Sequence, residues 1–188
     1  MAQSSAAQAI ATWSLDPAHS SVEFSVKHMM MTTVRGRFKR IKGTLTADEE
    51  HPEGCCVEVE IDAASIDTGA PDRDTHLRSA DFLDVEGHPT ITFRSTRVEG
   101  DFGKEGDRFR VTGDLTILDT TLEVVLDCVF EGRGMDPWGQ ERAGFSAHTQ
   151  IDRRDWGLKW NQAIETGGVL VAHHVRVDVE AQFVKQRE

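Results

Sequence analysis

The 188-residue sequence contains no long apolar run and no recognisable export signal. No stretch approaches the ~20 apolar residues that a membrane-spanning helix needs, so we predict no stable membrane insertion. Residues 1–12 lack both the basic start and the apolar middle of a signal peptide. We therefore expect a disordered leader over residues 1–12 and a soluble, cytoplasmic protein.

Basic residues are also in deficit, with 21 Lys and Arg against 32 Asp and Glu and a net charge of -11. This charge disfavours phosphate backbones and anionic lipid surfaces, so nucleic acid is not an expected partner.

The cysteines are few and odd in number. Cys55 and Cys56 are adjacent and would point to opposite faces of a strand, which argues against a disulfide framework. Cys128 lies in an alternating apolar run and is predicted to be a small buried side chain.

Local motifs for catalysis and metal binding are missing as well. The chain has no Gly-x-Ser-x-Gly elbow, no Cys-x-x-Cys pair and no His-Glu-x-x-His segment. The adjacent His173 and His174 would face opposite ways in a strand and could not easily bind one ion. We therefore predict no catalytic residues, no metal and no cofactor.

Apolar residues do recur at every second position along most of the chain. Val22, Phe24 and Val26 alternate with polar neighbours, and residues 57–61 repeat the pattern. A period of two is typical of strands with one dry face and one wet face. Further strands are predicted at residues 34–45, 90–94, 108–111, 114–118, 122–130, 143–151 and 175–183.

Turn segments rich in Gly, Asp and Pro separate these strands at the spacing of a meander. A flat sheet with one apolar face would leave that face and two strand edges exposed. The sequence therefore predicts one all-β domain that either forms a sandwich or closes into a barrel.

One segment, residues 63–87, has no period of two. Residues 72–79 within it predict a short helix with Asp72 as N-cap after Pro71. A loop of this length is usually functional or a lid. Arg73 could bind an anion there, or Arg73 and Asp74 could hold the loop in place through ion pairs.

Two more features have a predicted orientation. Arg35 and Arg37 alternate with residues 34, 36 and 38, so both arginines are expected on the outer face. Trp156 follows a strand and could be a plug at the barrel end or part of a pocket rim. The plug is favoured, because a buried tryptophan more often serves packing than recognition.

Several short motifs occur in an order and spacing that resemble the YceI-like family, from about residue 13 to residue 183. The motifs are WSLDPAHS (13–20), VEFSVKH (22–28), GRF (36–38), SIDT (65–68), RDTHLRSADF (73–82), PTITF (89–93), GDLTI (113–117) and RDWGL (154–158). Family members often carry Gly-x-Thr after the strand that ends at Ile117, whereas this chain has Leu118-Asp119-Thr120-Thr121.

The resemblance implies an extended lipocalin-like, eight-stranded antiparallel β-barrel with a short helical insertion around residues 64–85. It implies a single domain over residues 13–185, a homodimer, and a lumen that binds a polyisoprenoid or another long-chain lipid for storage or transport. A stress-response role is also typical of the family. Interior positions of an eight-stranded barrel leave room for one slender ligand at most, which agrees with this expectation.

The resemblance places the ligand in the lumen and near the insertion. The candidate ligand-binding residues are Phe24, Val26, His28, Phe38, Ile61, Asp67, Arg73, His76, Leu77, Phe82, Phe93, Ile117 and Trp156. Arg73, His76 and His28 are expected to contact a polar or pyrophosphate head group. Two alternatives stay open: an enzyme that acts on a hydrophobic substrate with His76 as acid or base, and a structural stress-response module with a filled core.

Overall fold

A computed structural model describes residues 10–48, 54–165 and 167–187. The strands are β1 (Ile10–Leu15), β2 (Ser21–His28), β3 (Thr32–Phe38), β4 (Ile41–Asp48), β5 (Cys56–Asp62), β6 (Ile66–Asp67), β7 (Thr90–Glu99), β8 (Arg108–Ile117), β9 (Thr120–Met135), β10 (Glu141–Asp152) and β11 (Val171–Lys185). The α-helix α1 spans Pro71–Arg78, and 3-10 helices span Pro17–His19, Ala63–Ser65 and Arg153–Trp156.

The strands form one antiparallel sheet that closes on itself. Its order is β1-β4-β5-β7-β8-β9-β10-β11, and β1 then pairs with β11 through Trp13 opposite Lys185 and Leu15 opposite Phe183. The predicted lipocalin-like barrel of eight antiparallel strands with a helical insertion is thereby confirmed.

Two of the eight barrel strands are interrupted along their length. β11 pairs with both β1 and β2, which are successive parts of one strand interrupted at Pro17, a residue that cannot donate a backbone hydrogen bond. β3 and β4 are likewise separated by Lys39 and Arg40, whose backbone amides donate to the carbonyl and the hydroxyl of Ser65. The predicted strand 34–45 is therefore two strands, and β2, β3 and β6 extend one end of the wall.

The start of the barrel lies three residues before the predicted boundary at Trp13. β1 begins at Ile10, because Ile10, Ala11 and Thr12 pair with Asp48, Ala47 and Thr46 of β4. The remainder of the predicted leader, residues 1–9, lies outside the described residues.

Buried and exposed side chains alternate along the strands, as expected for the wall of a barrel with a dry interior. On β9 the inward Val124 and Cys128 are buried, whereas the outward Glu123 and Asp127 are exposed. Arg35 and Arg37 are exposed on β3, as predicted. Burial raises the pKa of the Cys128 thiol to about 12, so this side chain is an unreactive part of the interior.

The two ends of the barrel are built differently. At the end where β10 begins and β11 finishes, which we call the aromatic end, phenylalanine rings pack with centroids 4.9–6.1 Å apart. These rings belong to Phe102, Phe109, Phe130, Phe145 and Phe183. The opposite end, which we call the insertion end, carries α1, residues 79–89, the turn between β8 and β9, and residues 157–165 and 167–170.

The helix at the insertion end begins earlier than the sequence suggests. Its N-cap is Ala70, without a side-chain hydrogen bond, so the predicted cap at Asp72 is wrong. Pro71 occupies the first helical position, to which its fixed φ is suited, and Asp72 lies in the first turn, where its charge favours the positive end of the helix. None of the described helices is long and apolar enough to cross a membrane.

Candidate functional site

The interior wall contains a continuous apolar row. Val59, Phe93, Leu115 and Leu122 lie opposite one another on β5, β7, β8 and β9. All four point into the barrel, yet each is only half-buried. The next row holds Ile61 and Ile91, which are buried.

The interior is less tightly packed than a solid core. Among the buried apolar side chains of the described residues, only Ala63 is less than 3% exposed. Close-packed interiors leave few voids, and inward neighbours such as Phe93 and Leu115 would then lose nearly all their accessible surface. Their partial exposure therefore indicates space along the lumen.

Phe24 and Phe38 form an aromatic part of the wall on β2 and β3, with ring centroids 5.8 Å apart. Gly36 lies opposite Phe24, and a Cβ atom at this glycine would stand 2.8 Å from Phe24 Cε1 and 2.9 Å from Thr68 Cγ2. Glycine is therefore needed for the ring to lie against the sheet. Val26 and His28 continue the inward face of β2 toward the insertion end, and both are half-buried.

An aromatic cluster at the insertion end surrounds His76. The imidazole meets the rings of Phe82 and Trp160 edge-on, with centroid distances of 5.1 and 4.6 Å. His76 Nε2 lies 2.8 Å from Asp81 Oδ2. Because an ionised carboxylate only accepts hydrogen bonds, this contact places a proton on Nε2 and leaves Nδ1 as the second polar atom of the ring. The next helix residue, Leu77, is half-buried and packs against the core.

Trp160 is held in this position by a buried arginine. Arg153 is 4% exposed, and its guanidinium donates to the carbonyls of Leu158, Trp160, Val171 and Ala172 at 2.5–3.2 Å. Burial lowers the pKa of this guanidinium from its ordinary value. The side chain thus ties the loop after β10 to the start of β11.

The insertion is fixed to the barrel by side chains that meet backbone groups. Arg78 donates to the carbonyls of Ala64 and Ile66, both at 2.8 Å. Asp74 is buried and accepts from the amide and the hydroxyl of Thr68, while Arg73 donates to the hydroxyl and the carbonyl of Thr68. The loop is therefore held by hydrogen bonds that converge on Thr68.

A histidine also connects the insertion to the turn between β8 and β9. His88 Nδ1 lies 3.2 Å from Asp84 Oδ2, and its Nε2 lies 3.0 Å from Asp119 Oδ2. The hydrogen bond to Asp119 is the main cause that raises the pKa of His88. Leu118, in the same turn, has a φ of 54°, a backbone conformation that glycine adopts more readily than leucine.

The structure brings part of the predicted set together. Phe24, Phe38, Ile61, Phe93 and Ile117 lie on the inner wall, and His76, Leu77 and Phe82 lie at the insertion end.

Three other members of the set lie apart from the inner wall or are engaged elsewhere. Asp67 is aligned with the exposed Arg37 and pairs with Lys39 Nζ at 2.8 Å, which lowers the pKa of Asp67. Arg73 is occupied by Thr68. Trp156 is 4% exposed and donates its indole N–H to the Leu115 carbonyl at 3.0 Å, as the plug interpretation predicts.

Trp160, Asp81 and Arg153 were not predicted as site residues. Trp160 is the second tryptophan after the Arg153-Arg154 pair, and two large aromatics in one loop would have been a usable signal. Arg153 gave no such signal, because adjacent arginines look alike in sequence and only the fold buries one of them. Within the described part of the chain, no three His, Cys, Asp or Glu side chains form a group that could hold a metal ion.

A closed antiparallel barrel with an apolar lumen and a helical insertion defines the lipocalin-like class of β-barrels. Residues 13–183 match the model of the YceI-like domain, and the chain belongs to the YceI-like family. Protein YceI of Escherichia coli O157:H7 is 43% identical over 141 residues, which cover 75% of this chain and 72% of that protein. Protein YceI of Salmonella newport is 42% identical over 140 residues, covering 74% and 71%.

Solved structures share the same fold. BcnA of Burkholderia cenocepacia superposes with a TM-score of 0.76 at 23% identity, covering 89% of this chain and 98% of that one. The YCEI protein of Campylobacter jejuni gives 0.71 at 27% identity, covering 86% and 90%. A polyisoprenoid binding domain from Saccharophagus degradans gives 0.68 at 17% identity, covering 93% and 98%.

Proposed function

We propose that this protein binds a long-chain amphiphilic lipid, with a polyisoprenoid as the ligand class, along the lumen of its barrel for storage or transport. The observation that carries the proposal is the half-buried state of Val59, Phe93, Leu115 and Leu122, four apolar side chains that face inward. A hydrocarbon chain would cover this surface. The polyisoprenoid binding domain that shares the fold supports the same ligand class.

In the proposed complex Phe24, Val26, Phe38, Ile61, Phe93 and Ile117 contact the hydrocarbon chain. His76, Leu77, Phe82 and Trp160 surround the polar end of the ligand, with His28 nearby on β2. Asp67, Arg73 and Trp156 hold the wall and the insertion in place, because their polar groups already bind Lys39, Thr68 and Leu115.

Chain length provides the sharpest test. Burial of hydrocarbon contributes ~0.8 kcal/mol per CH₂ before the chain is ordered, so affinity should rise steeply from geraniol to farnesol to geranylgeraniol. Each alcohol would be added from ethanol and followed by tryptophan fluorescence. Native mass spectrometry of freshly purified protein would show whether a lipid is already bound. A ligand-free protein that takes up none of the alcohols would contradict the proposal and favour a filled structural barrel.

Two variants separate the head-group roles. His76→Ala should weaken binding of geranylgeraniol, because the ring lies between Phe82 and Trp160. Asp72→Asn, at an exposed position of the same helix, is the matched control and should change the affinity for the alcohol little. If Arg73→Ala loses more affinity for geranylgeranyl pyrophosphate than for geranylgeraniol, Arg73 contacts the head group.

The His76–Asp81 pair also has the geometry of an acid–base pair, which supports the alternative of an enzyme. That alternative requires turnover of a hydrophobic substrate that is lost in His76→Ala while binding survives. We further propose that the chain forms a homodimer, to be checked by light scattering. A cytoplasmic location and a stress-response role stay predictions.

A further inference from the structure

Three consecutive methionines form the turn between β2 and β3. Met30 and Met31 are 65% and 69% exposed. Met29 is half-buried, and its amide donates to the Leu170 carbonyl at 2.8 Å, which places the turn beside residues 167–170 at the insertion end. We call the turn residues 29–31 together with residues 167–170 the methionine tip.

Turn geometry does not explain why methionine stands here. Met29 and Met30 have φ values of 50° and 59°, and the Met31 amide donates to the His28 carbonyl at 3.0 Å. Positive φ at both central positions is the mark of a type I′ turn, in which Asn-Gly is strongly preferred. Methionine is a poor residue for this backbone, so its presence points to a use for the side chains.

The two segments that form the methionine tip carry no charged side chain, and the nearest charged residues along the chain are Lys27 and Glu165. Residues 29–34 and 167–172 contain no Asp, Glu, Lys or Arg, in a chain of which 28% is charged. The two segments are neighbours, since His28 pairs with Val171. At the aromatic end Met135 and Trp138 are also exposed, at 68% and 78%, but Asp136 lies between them and binds Arg142. Exposed apolar side chains and stretches of sequence without charged residues therefore coincide at the insertion end.

We propose that the methionine tip docks on the surface of a zwitterionic lipid bilayer, from which the barrel takes up its long-chain ligand. This inference rests on the proposed function. A flexible apolar tip without charge can enter the interface of an uncharged surface, whereas the net charge of -11 opposes an anionic one. A bilayer fits better than a protein partner, because a water-insoluble ligand has to leave a membrane close to the insertion end.

The test uses a tip variant that keeps the turn: Met29→Asn, Met30→Gly and Met31→Ser. Phosphatidylcholine vesicles supply the surface for co-flotation, and vesicles that contain geranylgeraniol supply the ligand for transfer. The wild type should float with the vesicles, and the tip variant should lose flotation and transfer at least about fivefold more slowly. Its thermal midpoint should be equal or higher, since Asn-Gly suits the turn. Met135→Ser is the matched control and should behave as the wild type.

Equilibrium binding of geranylgeraniol added from ethanol separates the two proposals. If the tip variant binds it as tightly as the wild type and only transfer is slow, docking is supported. If the wild type shows no equilibrium binding, the proposed function fails, whatever the flotation result. Docking is overturned if the wild type does not float, if the variant transfers at the wild-type rate, or if flotation is lost in Met135→Ser or Trp138→Ser instead. It is also overturned if the variant turns a wild-type dimer into a monomer, because the tip would then join two copies.

Discussion

At the residue scale, the stability of the insertion end depends on one buried cation. Among the described residues no carboxylate pairs with the guanidinium of Arg153, which instead donates to four carbonyl groups. Removal of this charged donor takes a hydrogen bond from all four carbonyls, of which Val171 keeps the one from Asn161 Nδ2, and the loss costs more than that of an average hydrogen bond. The planar fork of arginine is required, because the amine of lysine could not reach four separated carbonyls.

Arg153→Met should therefore lower the free energy of unfolding by about 3 kcal/mol, as measured by urea denaturation. The same variant should weaken geranylgeraniol binding, because the loop that carries Trp160 is released. Arg154→Met is the control. Arg154 is exposed and pairs with Asp152, so its loss should leave the urea midpoint nearly unchanged. Equal effects of the two substitutions would contradict the role assigned to Arg153.

At the element scale, the barrel wall follows from alternation, and its interruptions follow from contacts between strands. The sequence suggested two strands at 108–111 and 114–118, separated at Thr112-Gly113. The structure has one strand, β8, because the ring of Phe93 lies against Gly113, where a Cβ atom would be 2.7 Å from Phe93 Cε2. The glycine thus marks a place for a neighbouring ring and not the end of a strand.

Gly36→Ala tests the same kind of contact on β3. The new methyl group would displace Phe24, and overpacking of this kind costs about 1–3 kcal/mol. We expect a lower urea midpoint and weaker binding of geranylgeraniol. Gly134→Ala on β9 is the matched control, since nothing lies within 4 Å of its Cβ position. Gly36→Ala with Phe24→Leu should recover part of the lost stability; no recovery would argue against a clash with the ring.

Alternation along a strand can be read from the sequence, whereas contacts between distant segments cannot, and this difference decides which site residues were predicted. Phe24, Phe38 and Phe93 were found because a period of two assigns them to the inner face. Trp160 and Arg153 were missed because their positions depend on carbonyls of β11 that follow many residues later. Arg73 and Asp67 were identified as charged residues near the insertion, but their local partners Thr68 and Lys39 could only be seen in the fold.

At the scale of the whole molecule, paired carboxylates and one histidine set the pH range of stability. Burial alone would raise the pKa of Asp16, but hydrogen bonds from Arg142 and His19 outweigh it and lower the value to about 2. Arg142 also binds Asp136, so it links the turn after β1 to the start of β10. Carboxylates with lowered pKa values stabilise the fold above their ordinary pKa and lose this effect as the pH falls. His88, with a raised pKa, stabilises the fold at low pH and loses its effect as the pH rises.

The urea midpoint should accordingly decline as the pH falls from about 4 toward 2, and it should decline by a smaller step as the pH rises above about 6.5. Arg142→Gln should reduce the acid decline, because Asp16 and Asp136 lose their shared cation. His88→Gln should remove the fall in the urea midpoint above about pH 6.5 and leave the fall at acid pH unchanged. Profiles of the wild type and both variants that stay parallel over this range would contradict the assignment.

The pairing of β1 with β11 has a consequence for the time course of folding. Trp13 and Lys185 are adjacent in space but belong to β1 and β11, which are far apart in sequence, so the seam cannot form until β11 has been synthesised. Contacts between residues far apart in sequence are slow to form, because a long loop has to be closed first. We expect a nascent chain to arrange its hairpins early and to close the barrel only after β11 has left the ribosome, with β1 as an open edge until then.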